Sequence, residues 1–194
     1  MIGNDIVDLS FAEMSSNWKR PRFLEKIFTE NERQIIFSSP DKHKIVWRLW
    51  SMKEAAYKAY RRDEANPFFN PKKLSCSLIS ESIGTVNVLG NHYETITEMT
   101  NEFVHSLAYQ KAKKIHLKRE IFELKSKQHQ HQSDEVREKL RSTIWSTFTD
   151  NIRPEKLVIN KAINGMPYLV LDKEKLDSIV SLSHHGRFGA YAIC

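Results

Sequence analysis

The stretch WSMKEAAYK at residues 50–58 sets Glu54 and Lys58 four positions apart. Residues i and i+4 lie on the same face of an α-helix, so the carboxylate and the ammonium are predicted to point into the same space. Taken alone, such a pair is usually an exposed salt bridge that contributes only about 0.3–0.5 kcal/mol. The pair therefore indicates a function only if other parts of the chain supply matching chemistry.

Two stretches near the ends of the chain supply that chemistry. GNDIVDL at residues 3–9 carries Asp5 in an apolar run typical of a buried strand, and SLSHHGRF at residues 181–188 carries Ser183 and His184. Magnesium is usually held by one or two carboxylates together with phosphate oxygens and water, and lysine binds phosphate as a compact charge. Asp5, Glu54 and Lys58 are therefore residue types suited to a divalent cation and a phosphate.

Together the three stretches resemble the motifs of the 4′-phosphopantetheinyl transferases, enzymes that move the phosphopantetheine arm of coenzyme A onto a serine of a carrier protein. WSMKEAAYK fits the family pattern W-x-x-K-E-x-x-x-K, GNDIVDL fits G-x-D-I, and SLSHHGRF fits S-x-S-H. The resemblance implies a Mg²⁺-dependent transfer from coenzyme A, as the substrate, to an apo acyl or peptidyl carrier protein.

The resemblance assigns the metal and the chemistry to the first half of the chain. It implies that Asp5 and Glu54 hold Mg²⁺ and that Lys58 reaches the phosphate, so these three are the expected catalytic residues. Either Glu54 or a metal-bound water would take the proton of the carrier serine. Two-lobed relatives often have a second acid where this chain has Val7. Because strand positions alternate faces, we expect Asp8 to cap a helix or lie on the surface, and only secondarily to bind the metal.

The resemblance assigns coenzyme A binding to the second half. Ser183 and His184 match the family pair that binds the phosphates of coenzyme A. NGMPYL at residues 164–169 resembles a G-K-P-Y segment that lines the nucleotide pocket, which adds Pro167 to the expected contacts. Met166 replaces the lysine of that segment, so a basic residue elsewhere should compensate. Arg137 occupies the place of a family arginine near the 3′-phosphate, or else it is a solvated helix charge.

Three further features have less specific interpretations. His185 occupies a variable place in its motif and is interpreted as a residue of a local turn. Arg187 either supports the coenzyme A site or lies on the surface. In QHQHQ at residues 128–132, His129 and His131 would share a face on a strand and could bind a metal, but the composition favours a disordered polar linker.

Composition limits the class of partner. The 194 residues carry a net charge of +6 and a pI near 9.2, which favours an acidic partner such as an acidic carrier protein. With two cysteines, no signal-peptide pattern and no apolar run near the roughly 20 residues of a membrane span, we expect a cytoplasmic protein without a membrane partner.

The charge, with Trp47 and Trp50, also fits a nucleic-acid-binding module, although nucleic acid is not the expected partner. Val7 and Met166 also fit an inactive family member that binds coenzyme A.

Hydrophobic periodicity predicts an α+β fold. Apolar residues spaced by 4, 3 and 4 positions predict a helix over Lys42–Tyr60 with one buried stripe, and Thr29 with Glu32 predicts a capping box. A second amphipathic helix is predicted from residue 133 to about 148. Strands are predicted at residues 2–9, 74–79, 84–89, 95–99, 103–109, 157–159, 168–171, 179–183 and 189–193.

The order of these elements resembles the two-lobed type of the family with its halves reversed. Residues 1–113 resemble its second half and residues 114–194 its first, with a polar connection at residues 111–132. We therefore expect two similar lobes, circularly permuted, each with a small antiparallel sheet packed on a long helix, and a monomer with its site between the lobes. The small holo-acyl-carrier-protein synthases share the G-x-D-I and S-x-S-H motifs but build their sites between subunits. In that arrangement residues 111–160 would be an insertion.

Overall fold

The computed structural model describes residues 1–62, 68, 70–110, 117–146 and 156–194. These residues form two five-stranded antiparallel sheets with helices packed against them, which confirms the predicted α+β class. None of the helices in the described part of the chain is both long enough and apolar enough to cross a membrane.

The first sheet comes from the first half of the chain. Its strands are β1 (Ile2–Asp8), β2 (Leu74–Leu78), β3 (Ile83–Val88), β4 (Asn91–Met99) and β5 (Phe103–Tyr109). The helices between β1 and β2 are α1 (Leu9–Ser15), α2 (Phe23–Ile27), α3 (Glu30–Ser38) and α4 (Lys42–Tyr60). The spatial order β1-β5-β4-β3-β2 places β1 at an edge of the sheet.

Helix α4 spans the predicted residues Lys42–Tyr60, and the Asp41 side chain caps its N-terminus. Its apolar stripe is buried against the sheet, as predicted, with Leu49 and Met52 fully inaccessible to solvent. The neighbouring stripe is buried as well at Trp47 and Ser51, and α3 packs against the helix. Only the second half of α4 presents polar side chains to an open cleft.

A fully buried ion pair joins α3 to α4. Lys53 Nζ lies 2.7 Å from Glu32 Oε2 and also donates to the carbonyl oxygens of Ile27 and Pro71, each at 2.9 Å. Glu32 completes the predicted capping box with Thr29 at the start of α3. The pair therefore fixes the part of α4 that carries the predicted site residues.

The second sheet comes from the second half of the chain. Its strands are β6 (Lys118–Glu123), β7 (Leu157–Lys161), β8 (Pro167–Leu171), β9 (Glu174–His185) and β10 (Phe188–Ile193), in the spatial order β6-β10-β9-β8-β7. Helix α5 (His129–Trp145) packs on this sheet through Val136, Leu140 and Ile144.

The prediction of a polar connection over residues 111–132 is wrong for much of its length. KREIFE forms β6, because β10 supplies an antiparallel partner to which a largely polar strand can pair. QHQHQ begins α5 instead of forming a linker, and Gln132 is buried while its Nε2 donates to the carbonyl oxygens of Ser126 and Gly186. The predicted boundary at residues 113–114 and the predicted helix end near residue 148 lie outside the described residues.

The two sheets meet where the outer edge of β1 faces β9. The backbone N–H of Asn4 donates to Ser181 Oγ at 2.9 Å, and that of Asp8 donates to His185 Nδ1 at 3.0 Å. Side-chain acceptors thus take the place of the backbone carbonyls that a continuous sheet would use.

The two ends of the chain lie close together. Ile2 packs with Leu107 and Ala192 in one small buried cluster, and Arg62 at the end of α4 donates to the carbonyl oxygens of Ile2 and Val180. This proximity agrees with the permuted order, and so does the separate sheet and helix of the second segment. The permutation and the two-domain division stay predictions.

Candidate active site

Gly3 allows α4 to pack directly against β1. A Cβ at this position would lie 2.1 Å from the carbonyl oxygen of Ala55 and 2.7 Å from the backbone nitrogen of Ala59. The same face of β1 carries Asp5, because strand side chains alternate. Ser51 of α4 donates its hydroxyl to the Asp5 backbone carbonyl at 3.1 Å. The close packing therefore places the Asp5 carboxylate beside the second half of α4.

Lys58 contacts Asp5 across this packed surface. Its Nζ donates to Asp5 Oδ1 at 3.0 Å and to the carbonyl oxygen of Asn4 at 2.9 Å. The Asp5 side chain is 13% exposed and that of Lys58 27%. Burial raises the pKa of Asp5, and the neighbouring ammonium offsets this only in part.

Glu54 lies one helical turn before Lys58 on the same face of α4. Burial, together with the nearby charge of Asp5, raises the pKa of Glu54 to about 7, although Lys58 opposes the shift. The two carboxyl groups of Asp5 and Glu54 thus share one ammonium, that of Lys58. If both carboxyl groups were ionised, their negative charge would exceed the single positive charge of Lys58. Within the described residues no third carboxylate, histidine or cysteine joins them in a group that could hold a metal ion.

A cavity of about 200 Å³ lies between the two lobes. Its wall is formed by the end of α4, one side of α5, the turn that joins β7 to β8, and β9. The predicted site residues in this wall are Lys58, Arg137, Pro167 and His184. Asp5 reaches the cavity through its bond to Lys58, whereas Glu54 and Ser183 are not part of the wall.

His184 faces α5 and is neutral in this environment. Its Nδ1 lies 3.2 Å from Gln132 Oε1, and its ring stands edge-on to that of His129 at a centroid distance of 4.5 Å. Burial, followed by the charges of His129 and Lys58, lowers the pKa of His184 to about 4. Because the Gln132 amide nitrogen is engaged elsewhere, Oε1 must accept the Nδ1 proton. The Nε2 of neutral His184 can then only accept, so donation to a phosphate requires protonation.

Two further coenzyme A candidates, Ser183 and Arg137, differ in accessibility. Ser183 is buried and its Oγ accepts a hydrogen bond from Asn4 Nδ2 at 3.0 Å. Arg137 Nη1 donates to the carbonyl oxygen of Ile159 at 3.3 Å, which holds the guanidinium against β7 at the cavity wall. Arg137 is therefore not simply a solvated helix charge.

The predictions for Asp8 and the residues after His184 need correction in part. Asp8 caps α1, as predicted, but it is fully buried and not a surface acid. Arg187 makes a paired contact with it, Nε to Oδ2 at 2.9 Å and Nη2 to Oδ1 at 3.0 Å, and also reaches Glu102. Burial raises the pKa of Asp8, but the hydrogen bonds from Arg187 outweigh this and lower it. His185 lies on β9 and closes the seam with β1, so it is not a turn residue.

Arg62 and Lys161 are cavity residues that the sequence analysis missed. Arg62 lies four positions after Lys58, so the helical spacing that singled out Glu54 and Lys58 could have found it. Lys161 ends β7 directly opposite Pro167 of β8, and no motif pointed to it. Met166 lines the same cavity. Arg62 and Lys161 therefore place positive charge in the same cavity as Met166, the position at which the family pattern has a lysine.

A larger groove of about 880 Å³ lies beside the same turn, lined in part by Arg61, Tyr168 and Lys175. It contains none of the predicted site residues, and the carboxylates of Asp5 and Glu54 are not in its wall. The larger of the two cavities is therefore not the one that contains the predicted site residues.

Fold and site together define an α+β protein with a cationic cleft beside a pair of carboxylates. The family described as the 4′-phosphopantetheinyl transferase superfamily matches residues 1–108. The chain belongs to this superfamily and is a 4′-phosphopantetheinyl transferase.

The solved structures that are similar to the chain include two distant holo-[acyl-carrier-protein] synthases. The holo-[acyl-carrier-protein] synthase of Helicobacter pylori in complex with coenzyme A is 17% identical, with a TM-score of 0.46 over 56% of this chain and 97% of that one. The holo-[acyl-carrier-protein] synthase of Thermotoga maritima is 13% identical, with a TM-score of 0.45 over 90% of this chain and 83% of that one. No curated protein sequence matches the chain.

Proposed function

We propose that this protein transfers the 4′-phosphopantetheine arm of coenzyme A to a serine of an apo acyl or peptidyl carrier protein, with Mg²⁺ held by Asp5 and Glu54. The observation that carries the proposal is the cavity between the lobes, in which Lys58 and His184 meet within a single chain. Because both halves of the site come from one chain, a monomer is proposed to be active.

Asp5 and Glu54 fit a hard divalent cation. The raised pKa of each carboxyl reflects burial without enough positive charge nearby, and a cation between them would remove that deficit. Magnesium commonly takes one or two protein carboxylates and completes its shell with phosphate oxygens and water, so two ligands are sufficient. When bound, the metal would neutralise charge on the pyrophosphate of coenzyme A.

The proposed reaction needs little covalent chemistry from the protein. The hydroxyl oxygen of the carrier serine forms a bond to the phosphorus that bears the pantetheine arm, and the bond from that phosphorus to the departing adenosine 3′,5′-bisphosphate breaks. Glu54, or a water that it holds, takes the serine proton. Lys58, held by Asp5 and the Asn4 carbonyl, stabilises the charge that develops on the bridging oxygen.

The cavity supplies the contacts for the nucleotide end of coenzyme A. Arg137 and Lys161 place positive charge in the wall, and Pro167 offers an apolar surface between them. We propose that these cations compensate for Met166, which stands where the family pattern has a lysine. Protonated His184 would donate to one of the phosphates.

The surface next to the site suits an acidic carrier. On α1, which begins at the Asp8 cap, Phe11 and Met14 are 44% and 79% exposed, and Lys19, Arg20 and Arg22 follow as exposed cations. An acidic helix with apolar side chains would complement this surface in both charge and shape.

The decisive experiment is incubation of the protein with coenzyme A, Mg²⁺ and several apo carrier proteins, with mass spectrometry of each carrier. The proposal expects the mass of one phosphopantetheine arm to be added, and expects chelation of the metal to prevent it. Binding of coenzyme A without any transfer would instead indicate an inactive family member. Salt-sensitive binding of nucleic acid without coenzyme A binding would favour the nucleic-acid-binding module.

A further inference from the structure

Asp8 joins the two lobes at the start of α1. Its carboxylate accepts hydrogen bonds from the backbone N–H groups of Ser10 and Phe11 in its own lobe, at 3.1 and 3.3 Å. From the second lobe it accepts the backbone N–H of Arg187 at 2.8 Å, Nε at 2.9 Å and Nη2 at 3.0 Å. An ionised carboxylate can only accept and each of these nitrogens can only donate, so the direction of every bond is fixed.

The turn between β9 and β10 packs directly on the start of α1. A Cβ at Gly186, whose φ is +56°, would lie 2.5 Å from Asp8 Oδ2 and 2.7 Å from the Cβ of Phe11. The neighbouring His185 ring stands edge-on to that of Phe11, with the two centroids 5.1 Å apart. Gly186 thus permits a close contact that a side chain at this position would block.

Helix α1 needs this support because it is short. It has seven residues, whereas an isolated helix of fewer than about 12–15 residues is marginal in water. Its buried residues are Leu9 and Ala12. The orientation of α1, and with it that of the exposed Phe11 and Met14, therefore depends in part on the Asp8 cap and on the turn that holds Asp8.

Arg187 is placed to hold Asp8 and not to meet an acidic partner. Its side chain is 48% exposed, but its Nη1 also donates to Glu102 Oε1 at 3.1 Å. Two carboxylates therefore share its single positive charge, so Arg187 has little charge to offer to an acidic carrier.

We propose that Asp8 and Arg187 are positioning residues for the carrier protein, because they let the second lobe hold α1 in the orientation in which Phe11 and Met14 face the carrier. This inference rests on the proposed function, since it presumes that α1 binds the carrier. The lobe that supplies His184 to the coenzyme A site would thus also shape the surface for the second substrate.

Calorimetry tests the proposal with an apo carrier that the unmodified protein modifies, its acceptor serine replaced by alanine so that no arm is transferred. Arg187→Met should weaken carrier binding about tenfold, the loss expected for a hydrogen bond to a charged group, and should change coenzyme A binding by less than about twofold. The matched control is Arg119→Met, since Arg119 of β6 pairs with Glu98 of β4 across the two lobes at 3.3 Å and does not hold α1. The control should leave both affinities unchanged.

Gly186→Ala tests the same contact without changing a charge. The added Cβ should push the turn away from Asp8 and Phe11, so it should also weaken carrier binding. Its matched control is Gly90→Ala, because Gly90 has a positive φ as well, +89°, but no described atom within 4 Å of an added Cβ. Gly186→Ala also gives a readout if Arg187→Met fails to fold.

Two more variants test the premises. If Arg187 itself bound an acidic carrier, Asp8→Asn would free its guanidinium and strengthen that binding, whereas a positioning role predicts weaker binding. Met14 is 79% exposed, so Met14→Ser should weaken carrier binding while the fold and coenzyme A binding stay normal.

The outcomes are distinguishable. Unchanged or stronger carrier binding in Asp8→Asn would overturn the inference, and so would full carrier affinity in Met14→Ser. Equal losses of carrier and coenzyme A affinity in Arg187→Met and Gly186→Ala would show a general structural role, with the same consequence. Failure of the unmodified protein to modify any apo carrier would instead refute the proposed function.

Discussion

Lys53 and Lys58 lie in the same nine-residue stretch, yet the structure gives them different roles. Lys53 is buried with Glu32 and donates to two backbone carbonyls, whereas Lys58 faces the cleft. We expect Lys53→Met to lower the free energy of unfolding by about 3–5 kcal/mol, because it leaves the Glu32 carboxylate buried without its counter-charge. For a chain of this size each kcal/mol shifts Tm by about 2–4 °C, so Tm should fall by about 6–20 °C.

Urea unfolding followed by circular dichroism measures this loss, and turnover at low temperature reports on the molecules that stay folded. The matched control is Lys156→Met, since Lys156 forms a 2.9 Å pair with Asp172 on the surface and should contribute no more than about 1 kcal/mol. Turnover per folded molecule should stay near normal in Lys53→Met. A stable Lys53→Met protein that has lost turnover would refute the reasoning and place Lys53 in the active site.

Further predictions concern the site itself. Asp5→Asn and Glu54→Gln should each nearly abolish transfer while the far-ultraviolet spectrum stays native; near-normal turnover of either variant at ordinary Mg²⁺ would reassign that residue to structure. Lys58→Ala should lower kcat more than it raises the KM for coenzyme A, because its charge matters most as the pyrophosphate breaks, and an effect on KM alone would indicate a simple binding lysine. The pKa of Glu54 is raised to about 7 and Mg²⁺ needs the carboxylate, so calorimetric Mg²⁺ affinity should rise with pH up to about 7 and then level off; an affinity that does not change across this range would contradict the assignment. The pKa of His184 is lowered to about 4 and a bound phosphate should raise it, so coenzyme A binding near pH 6 should take up protons in the wild type but not in His184→Gln, which paired buffers of different ionisation enthalpy would detect.

The first lobe was largely predictable because its signals are local. The spacing of apolar residues gave the bounds of α4, and the Thr29 hydroxyl with the Glu32 carboxylate gave the start of α3. The i, i+4 rule placed Glu54 and Lys58 on one face. The rule does not predict how deeply a side chain is buried, so it does not reveal that Lys53 in the same helix is buried.

The second lobe was less predictable because its polar residues find partners far away in the chain. Gln132 looks like part of a solvated linker, but β9 and its turn supply partners for its amide. Asp8 looks like a surface acid, but it is buried and pairs with Arg187, which stays on the surface. Composition measures the polarity of such side chains, whereas their burial depends on contacts between segments that no local pattern records.

The side-chain hydrogen bonds between β1 and β9 also tie assembly of the protein to formation of its binding site. Ser181 and His185 close the outer edge of β1, which would otherwise offer free N–H groups to another protein strand. The alternate residue His184 points the other way, toward α5 and the cavity. A slip of β9 by one residue would exchange these two faces, so it would expose the edge of β1 and remove the histidine from the cleft at once. A misassembled chain would therefore be both prone to aggregate and unable to bind its substrate.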